Sequence, residues 1–99
     1  MWILQSAADG DGDAFTFRMV PGTIKTLGRA PRADFVVDAA LVSRLHCRLT
    51  ATEGTVEVVD LDSTNGTYIN DQRIEKTATL ASGDSLRIGR VELKLALQP

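Results

Sequence analysis

Cysteine is nearly missing from this chain: among 99 residues only Cys47 carries a thiol. A lone thiol closes no internal disulfide and completes no zinc site, so the expected setting is a reducing compartment, the cytoplasm with the nucleus left open. Histidine is as scarce, with His46 alone, and no His, Cys and carboxylate set stands at ligand spacing. No metal and no cofactor is therefore expected. Aromatics make up 5%, and several alternate into core-facing positions. That disfavours a β-sandwich reader of carbohydrate or nucleic acid, which would want exposed rings to stack on. No apolar run approaches the ~18 residues of a membrane span, and the opening MWILQSAADGDG has neither a basic leader nor an apolar stretch long enough for a signal peptide.

A charge excess is missing too. The formal net charge of −2 has the wrong sign for a general nucleic-acid binder. Its distribution is more telling. Between Arg29 and Arg48, four arginines (Arg29, Arg32, Arg44, Arg48) stand against two aspartates (Asp34, Asp38), a local +2, so the remainder sums to −4. A positive patch on an acidic body suits a small anionic group better than a long polyanion.

What is present is the composition of one soluble domain spanning residues 1–99, 43% hydrophobic and 24% charged. Short alternating runs of Val, Ile, Thr, Leu and Phe are cut by Gly, Pro, Asp and Asn clusters, the pattern of an all-β sandwich. Strands are expected at Trp2–Ser6, Ala14–Val20, Thr23–Leu27, Phe35–Val37, Leu45–Thr52, Thr55–Leu61, Thr67–Asn70, near Ile74, and at Thr77–Leu80, Ser85–Ile88 and Val91–Leu97. Pro21-Gly22, Glu53-Gly54, Asp71-Gln72, Ser82-Gly83-Asp84 and Gly89-Arg90 read as turns between them. No amphipathic helix of three turns fits, and Ala39–Val42 is too short to hold one unaided. The expectation is ten or eleven mostly antiparallel strands in two packed sheets. Ala8–Asp13 resembles a calcium loop but lacks the glutamate such a loop needs at its twelfth position, and reads as a solvated hairpin turn. Leu27-Gly28-Arg29 is echoed by Ile88-Gly89-Arg90, but the flanks do not match and no duplication is inferred.

The stretch from Asp60 to Asn70, DLDSTNGTYIN, is the one the chain is organised around. Asn65-Gly66 lies between two extended runs, and both residues tolerate positive φ, so a tight turn is expected to lift Thr64 and Asn65 to a loop tip. Three motifs then stand in order: Gly28-Arg29, Ser43-Arg44-Leu45-His46, and Ser63-Thr64-Asn65-Gly66-Thr67, with Asn70 beyond. A phosphorylated side chain brings about −1.5 to −2 charges and three acceptor oxygens, and its receptor needs donors converging from several directions. Arg29, leaving a strand just after a glycine, can supply a charged fork. Ser43 can supply a hydroxyl and a loop amide, Thr64 a second hydroxyl, and Asn65 a donor and an acceptor together.

That ordered set, on an all-β background of this length, resembles the forkhead-associated (FHA) domain, a phosphothreonine-reading module; phospho-motif recognition by basic residues is a mode already attributed to these domains. The resemblance covers nearly the whole chain and is most specific from Gly28 to Asn70. It implies that Arg29, Ser43 and Thr64 meet the phosphate, that Asn65 grips the peptide backbone, and that Arg44 contacts backbone or phosphate. It implies supporting roles for Gly28, His46, Gly66, Thr67 and Asn70, with His46 bonding loop backbone so that Ser43 is held. The family commonly follows its asparagine with glycine where this chain has Asp71; aspartate also tolerates a left-handed turn, so the change stays local. The implied partner is a phosphothreonine-containing protein or peptide, bound without nucleic acid or membrane by a domain that is monomeric in isolation. An FHA-type scaffold that ignores phosphate is the alternative. A hydrolase using Ser43 and His46 is disfavoured because the sole histidine already has a place on the strand that follows.

Overall fold

The computed structural model describes residues 1–6 and 14–99; the turn expected at Ala8–Asp13 lies outside them. Among the described residues there are eleven strands and no helix, in chain order β1 Trp2–Ser6, β2 Thr16–Met19, β3 Ile24–Gly28, β4 Phe35–Val36, β5 Cys47–Ala51, β6 Val56–Asp60, β7 Thr67–Ile69, β8 Gln72–Arg73, β9 Thr77–Leu80, β10 Ser85–Ile88 and β11 Val91–Leu97. Two sheets result: six strands ordered β2-β1-β11-β10-β7-β8, and five ordered β4-β3-β5-β6-β9. Every pairing is antiparallel except β3 with β4, which is parallel and two residues long. The expected all-β sandwich is the fold.

Alternation explains the packing. In β11, Leu93 and Leu95 are buried while Glu92 and Lys94 are exposed; in β5, Cys47, Leu49 and Ala51 point in and Arg48 points out. Facing side chains such as Trp2, Leu4, Leu49, Val58, Leu86 and Leu93 fill the space between the sheets. Each such side chain contributes about 1.5–3 kcal/mol by leaving water. The Trp2 indole donates to the Thr52 carbonyl at 2.7 Å, so the buried ring leaves no polar atom stranded. Phe17 stacks between Phe15 and Phe35, with ring centroids 6.1 and 4.7 Å away.

Three local expectations are corrected. Pro21-Gly22 does not turn β2 back onto β3, because those strands belong to different sheets and the chain crosses the sandwich there. Asp60 to Thr67 is likewise no hairpin: β6 lies in the five-stranded sheet and β7 in the six-stranded one. Period-two alternation reports which face of a strand is buried, and that face is equally satisfied by a neighbour beside it or a sheet opposite. The backbone agrees, since Gly66 has φ +88° while Asn65 stays out of the left-handed region, whereas a two-residue hairpin turn of either primed type needs positive φ at the first central residue. The turn expected at Asp71-Gln72 sits one residue earlier, at Asn70 (φ +49°) and Asp71 (φ +67°), and it does join a hairpin, β7 with β8.

The two loop segments that matter for function lie together. Residues 29–46 and 61–66 emerge from β3, β5 and β6, which are neighbours in one sheet, so their loops leave the same end of the sandwich.

Candidate functional site

At that end a groove of about 720 Å³ is lined by Arg29, Ser43, Arg44, Thr64 and Asn65, with Leu41 among its other walls. All five residues expected to touch ligand thus share one concavity, although 36 positions separate Arg29 from Asn65 in sequence.

The rim is tied together by hydrogen bonds that cross between loops. The Arg29 amide donates to the Ser43 carbonyl at 2.9 Å, and the Ala30 amide to the Arg44 carbonyl at 3.0 Å. The Arg29 side chain, part of the groove lining, is anchored in turn, its Nε donating to the Val42 carbonyl at 3.0 Å, which leaves the outer two guanidinium nitrogens uncommitted among the described residues. The Ser43 Oγ accepts from the Thr64 amide at 3.0 Å. A hydroxyl that accepts on one side still has its hydrogen to give, so Ser43 is oriented as a donor. Asn65 spends one Nδ2 hydrogen on the Leu41 carbonyl at 3.1 Å, keeping Oδ1 and a second hydrogen for another partner.

His46 sits behind this rim, fully buried. Its Nδ1 accepts the Ser43 amide at 3.0 Å, and its Nε2 lies 2.8 Å from the Gly66 carbonyl. An acceptor Nδ1 requires the hydrogen on Nε2, so the ring is the neutral Nε2–H tautomer, bridging the loop that carries Ser43 to the loop that carries Thr64 and Asn65. Burial pushes its pKa below the ordinary 6.5, with the Gly66 carbonyl and Asp60 opposing that shift. Strict alternation along Leu45–Thr52 would have put His46 outside with Arg48; the strand begins only at Cys47, so the residue before it is free to turn inward. The bond to Nδ1 also means that the Ser43 amide is occupied. The loop amide that remains is the one after it: the Arg44 N–H makes no hydrogen bond among the described residues.

Two glycines are required, Gly28 by close approach and Gly66 by its backbone conformation. A Cβ on Gly28 would lie 2.1 Å from the Arg44 carbonyl oxygen, so only glycine lets the segment carrying Ser43 seat on β3. Gly66 combines its positive φ with a position where a Cβ would meet the Arg73 side chain at 2.7 Å. Thr67 is buried and its hydroxyl donates to Asp60 Oδ1 at 2.7 Å. Asn70 is not brought to the groove. It bridges the β7–β8 turn to the start of β10, accepting the Ser85 amide at 3.0 Å and donating to Asp84 at 3.1 Å.

Two organisers were missed in the sequence. Asp60 accepts from the Ser63 amide and hydroxyl and from the Thr67 hydroxyl; burial alone would raise its pKa, but those donors and His46 hold it below the ordinary 3.8. The Ser63 Oγ also accepts the Gly66 amide at 3.1 Å, so Asp60 and Ser63 together shape the turn that presents Thr64 and Asn65. An Asp three residues before a Ser, at the end of a strand, is the available signal, and it is a weak one. Leu41 is the other, half-exposed with φ +71°, an unusual backbone for a γ-branched residue.

The family model for the FHA domain matches residues 25–89, about two thirds of the chain and the whole of the rim just described. The chain belongs to the FHA family. Among solved structures, the FHA domain of the CT664 protein from Chlamydia trachomatis superposes on this FHA domain with a TM-score of 0.90 at 25% identity, covering 99% of this chain and 98% of that one. The FhaA FHA domain, solved in complex with the intracellular domain of Rv3910, gives a TM-score of 0.81 at 32% identity over 96% of this chain and 99% of that one. Among curated proteins, an oxoglutarate dehydrogenase inhibitor of Corynebacterium diphtheriae is 41% identical over 68 residues, 69% of this chain and 47% of that protein. This FHA domain spans about half the length of the Corynebacterium and Mycolicibacterium relatives it matches.

Proposed function

We propose that this FHA domain binds a phosphothreonine-containing segment of a partner protein, the phosphate being received by Arg29, Ser43, Thr64 and the Arg44 amide while Asn65 holds the peptide backbone. The observation that carries the reading is the Ser43 hydroxyl, fixed as a donor by the Thr64 amide, in a groove faced by the Arg29 guanidinium. Several fixed donors and one anchored cation around an open concavity match a tetrahedral dianion, and they cost little to organise when it arrives. Each charge-assisted hydrogen bond contributes ~1.5–3 kcal/mol. Three or four of them, less the cost of ordering a flexible peptide, correspond to a Kd on the order of micromolar, about −8 kcal/mol. The family membership and the partner complex of the FhaA domain support the same reading.

The side-chain chemistry supports binding rather than turnover. Both His46 nitrogens are engaged and neither touches the Ser43 Oγ, so no base is set to activate that hydroxyl. Burial pushes the Cys47 thiol up, far from a reactive thiolate. Because the Chlamydia FHA domain covers 99% of this chain, residues 1–99 are taken as one module for phosphate-dependent recognition.

The test is a phosphothreonine peptide-library screen followed by titration of paired phosphorylated and unphosphorylated peptides. At least tenfold preference for the phosphorylated member is expected, and Ser43→Ala should remove most of it. Equal affinity for the two would mean a scaffold that does not read phosphate.

A further inference from the structure

A second hollow of about 560 Å³ adjoins the first and shares Arg29, Asp38 and Arg44 with it. Its remaining walls are Ala30, Pro31 and Val36, all apolar. Their placement follows from the register. Val36 in the edge strand β4 pairs with Gly28 in β3, and residues paired in register project to the same face of a sheet. A side chain on Gly28 would strike the Arg44 carbonyl, so that face is the one the Arg44 segment covers. Val36 therefore stands beside Arg44 and, with no side chain opposite it on Gly28, keeps 38% of its surface exposed.

Charge decides what this hollow accepts. Its ionisable walls are Arg29, Arg44 and Asp38, and none of the three forms an ion pair among the described residues. With Arg29 committed to the phosphate, one cation and one anion remain, and they cancel. That remainder favours neither sign of side chain over the other, whereas an aliphatic one meets Pro31, Ala30, Val36 and the methylene stems of the two arginines. We propose that this hollow is a subsite for an aliphatic side chain of the ligand, flanking the phosphothreonine on the Arg44 side of the groove. The proposal rests on the first groove being the phosphate site, and it names a sequence preference that the phosphate contacts cannot supply.

The experiment uses phosphothreonine peptides in an alanine frame in which each flanking position in turn carries Ile, Glu or Lys, titrated against the intact chain. Ile at one flanking position is expected to strengthen binding roughly five- to tenfold over Ala, the gain of partly burying three added carbons. Val36→Ser should weaken the Ile peptide at least fourfold more than the Ala peptide; Val36→Thr, which keeps the branched shape on an exposed edge, should do so in the same direction. A preference for Glu or Lys at that position, no preference at any position, or equal loss for Ile and Ala peptides in both variants overturns the subsite. If instead the Ala-framed phosphopeptide binds no better than its unphosphorylated form, the phosphate reading has failed and the subsite falls with it.

Discussion

Gly28-Arg29 and Gly89-Arg90 look alike in sequence and abut the same loop, yet they are built for different tasks. A Cβ on Gly28 would meet the Arg44 carbonyl at 2.1 Å; one on Gly89 would meet the Ala40 carbonyl at 2.9 Å. The loop that carries Ser43 is thus seated on β3 of one sheet and against the β10–β11 turn of the other. The glycines differ in kind. Gly28 lies within a strand and is needed only for space, while Gly89, at φ +58°, is needed for backbone conformation as well. The arginines differ more. Arg29 is held at both ends of its residue, by its amide on Ser43 and its Nε on Val42, and it lines the groove. Arg90 is exposed and makes no side-chain hydrogen bond or ion pair among the described residues. A dipeptide motif acquires its function from what the neighbouring loop does to it.

The largest effect that would sharpen this contrast is Gly28→Ala. Overpacking against backbone cannot be relieved by a rotamer change, so a loss of about 3 kcal/mol is expected, read as a fall in Tm of roughly 15 °C. A shift of only a few degrees would show that the loop can move aside. Next comes Arg29→Ala, which should weaken a phosphothreonine peptide at least tenfold in a calorimetric titration while thermal unfolding remains cooperative. Gly89→Ala should cost about 1–2 kcal/mol through its left-handed backbone, a Tm change smaller than that for Gly28→Ala.

A smaller effect comes from pH, acting through the ring that joins the two loops. His46 has a folded pKa below its ordinary 6.5, so between those values the unfolded chain binds more protons. Its contribution is complete above pH 6.5 and is lost as pH falls through that window. Thermal unfolding of the free domain should therefore occur at a lower temperature at pH 5 than at pH 7.5, and His46→Asn, less stable at the higher pH, should show a shallower decline. The smallest effect belongs to Arg90→Ala, for which a change in phosphopeptide affinity below about twofold is expected. A loss matching that of Arg29→Ala would erase the distinction between the two motifs.

Much of the strand pattern was legible, since the runs at Trp2–Ser6, Thr77–Leu80, Ser85–Ile88 and Val91–Leu97 coincide with strands to the residue. Alternation and turn residues act locally, and local signals survive in a single sequence. The candidate set Arg29, Ser43, Arg44, Thr64 and Asn65 was legible through the resemblance of its ordered motifs to the FHA family. Which sheet a strand joins was not, as β2 to β3 and β6 to β7 demonstrate, because burial of one face is satisfied by either arrangement. The organising roles of Asp60, Ser63 and Leu41 were not legible for a related reason. Several of their bonds are made by backbone amides and carbonyls, which every residue carries and no sequence motif marks.

By itself, the amino-acid order determined a two-faced strand composition, the places where the chain must bend, and the side chains available for an anion. Tertiary structure decided that Arg29 and Asn65 would line one groove, that the Ser43 hydroxyl would accept from Thr64 and so point its hydrogen outward, and that its amide would be taken by His46. Donor direction is a property of three-dimensional partners, and those partners come from loops that meet only when β3, β5 and β6 have paired side by side.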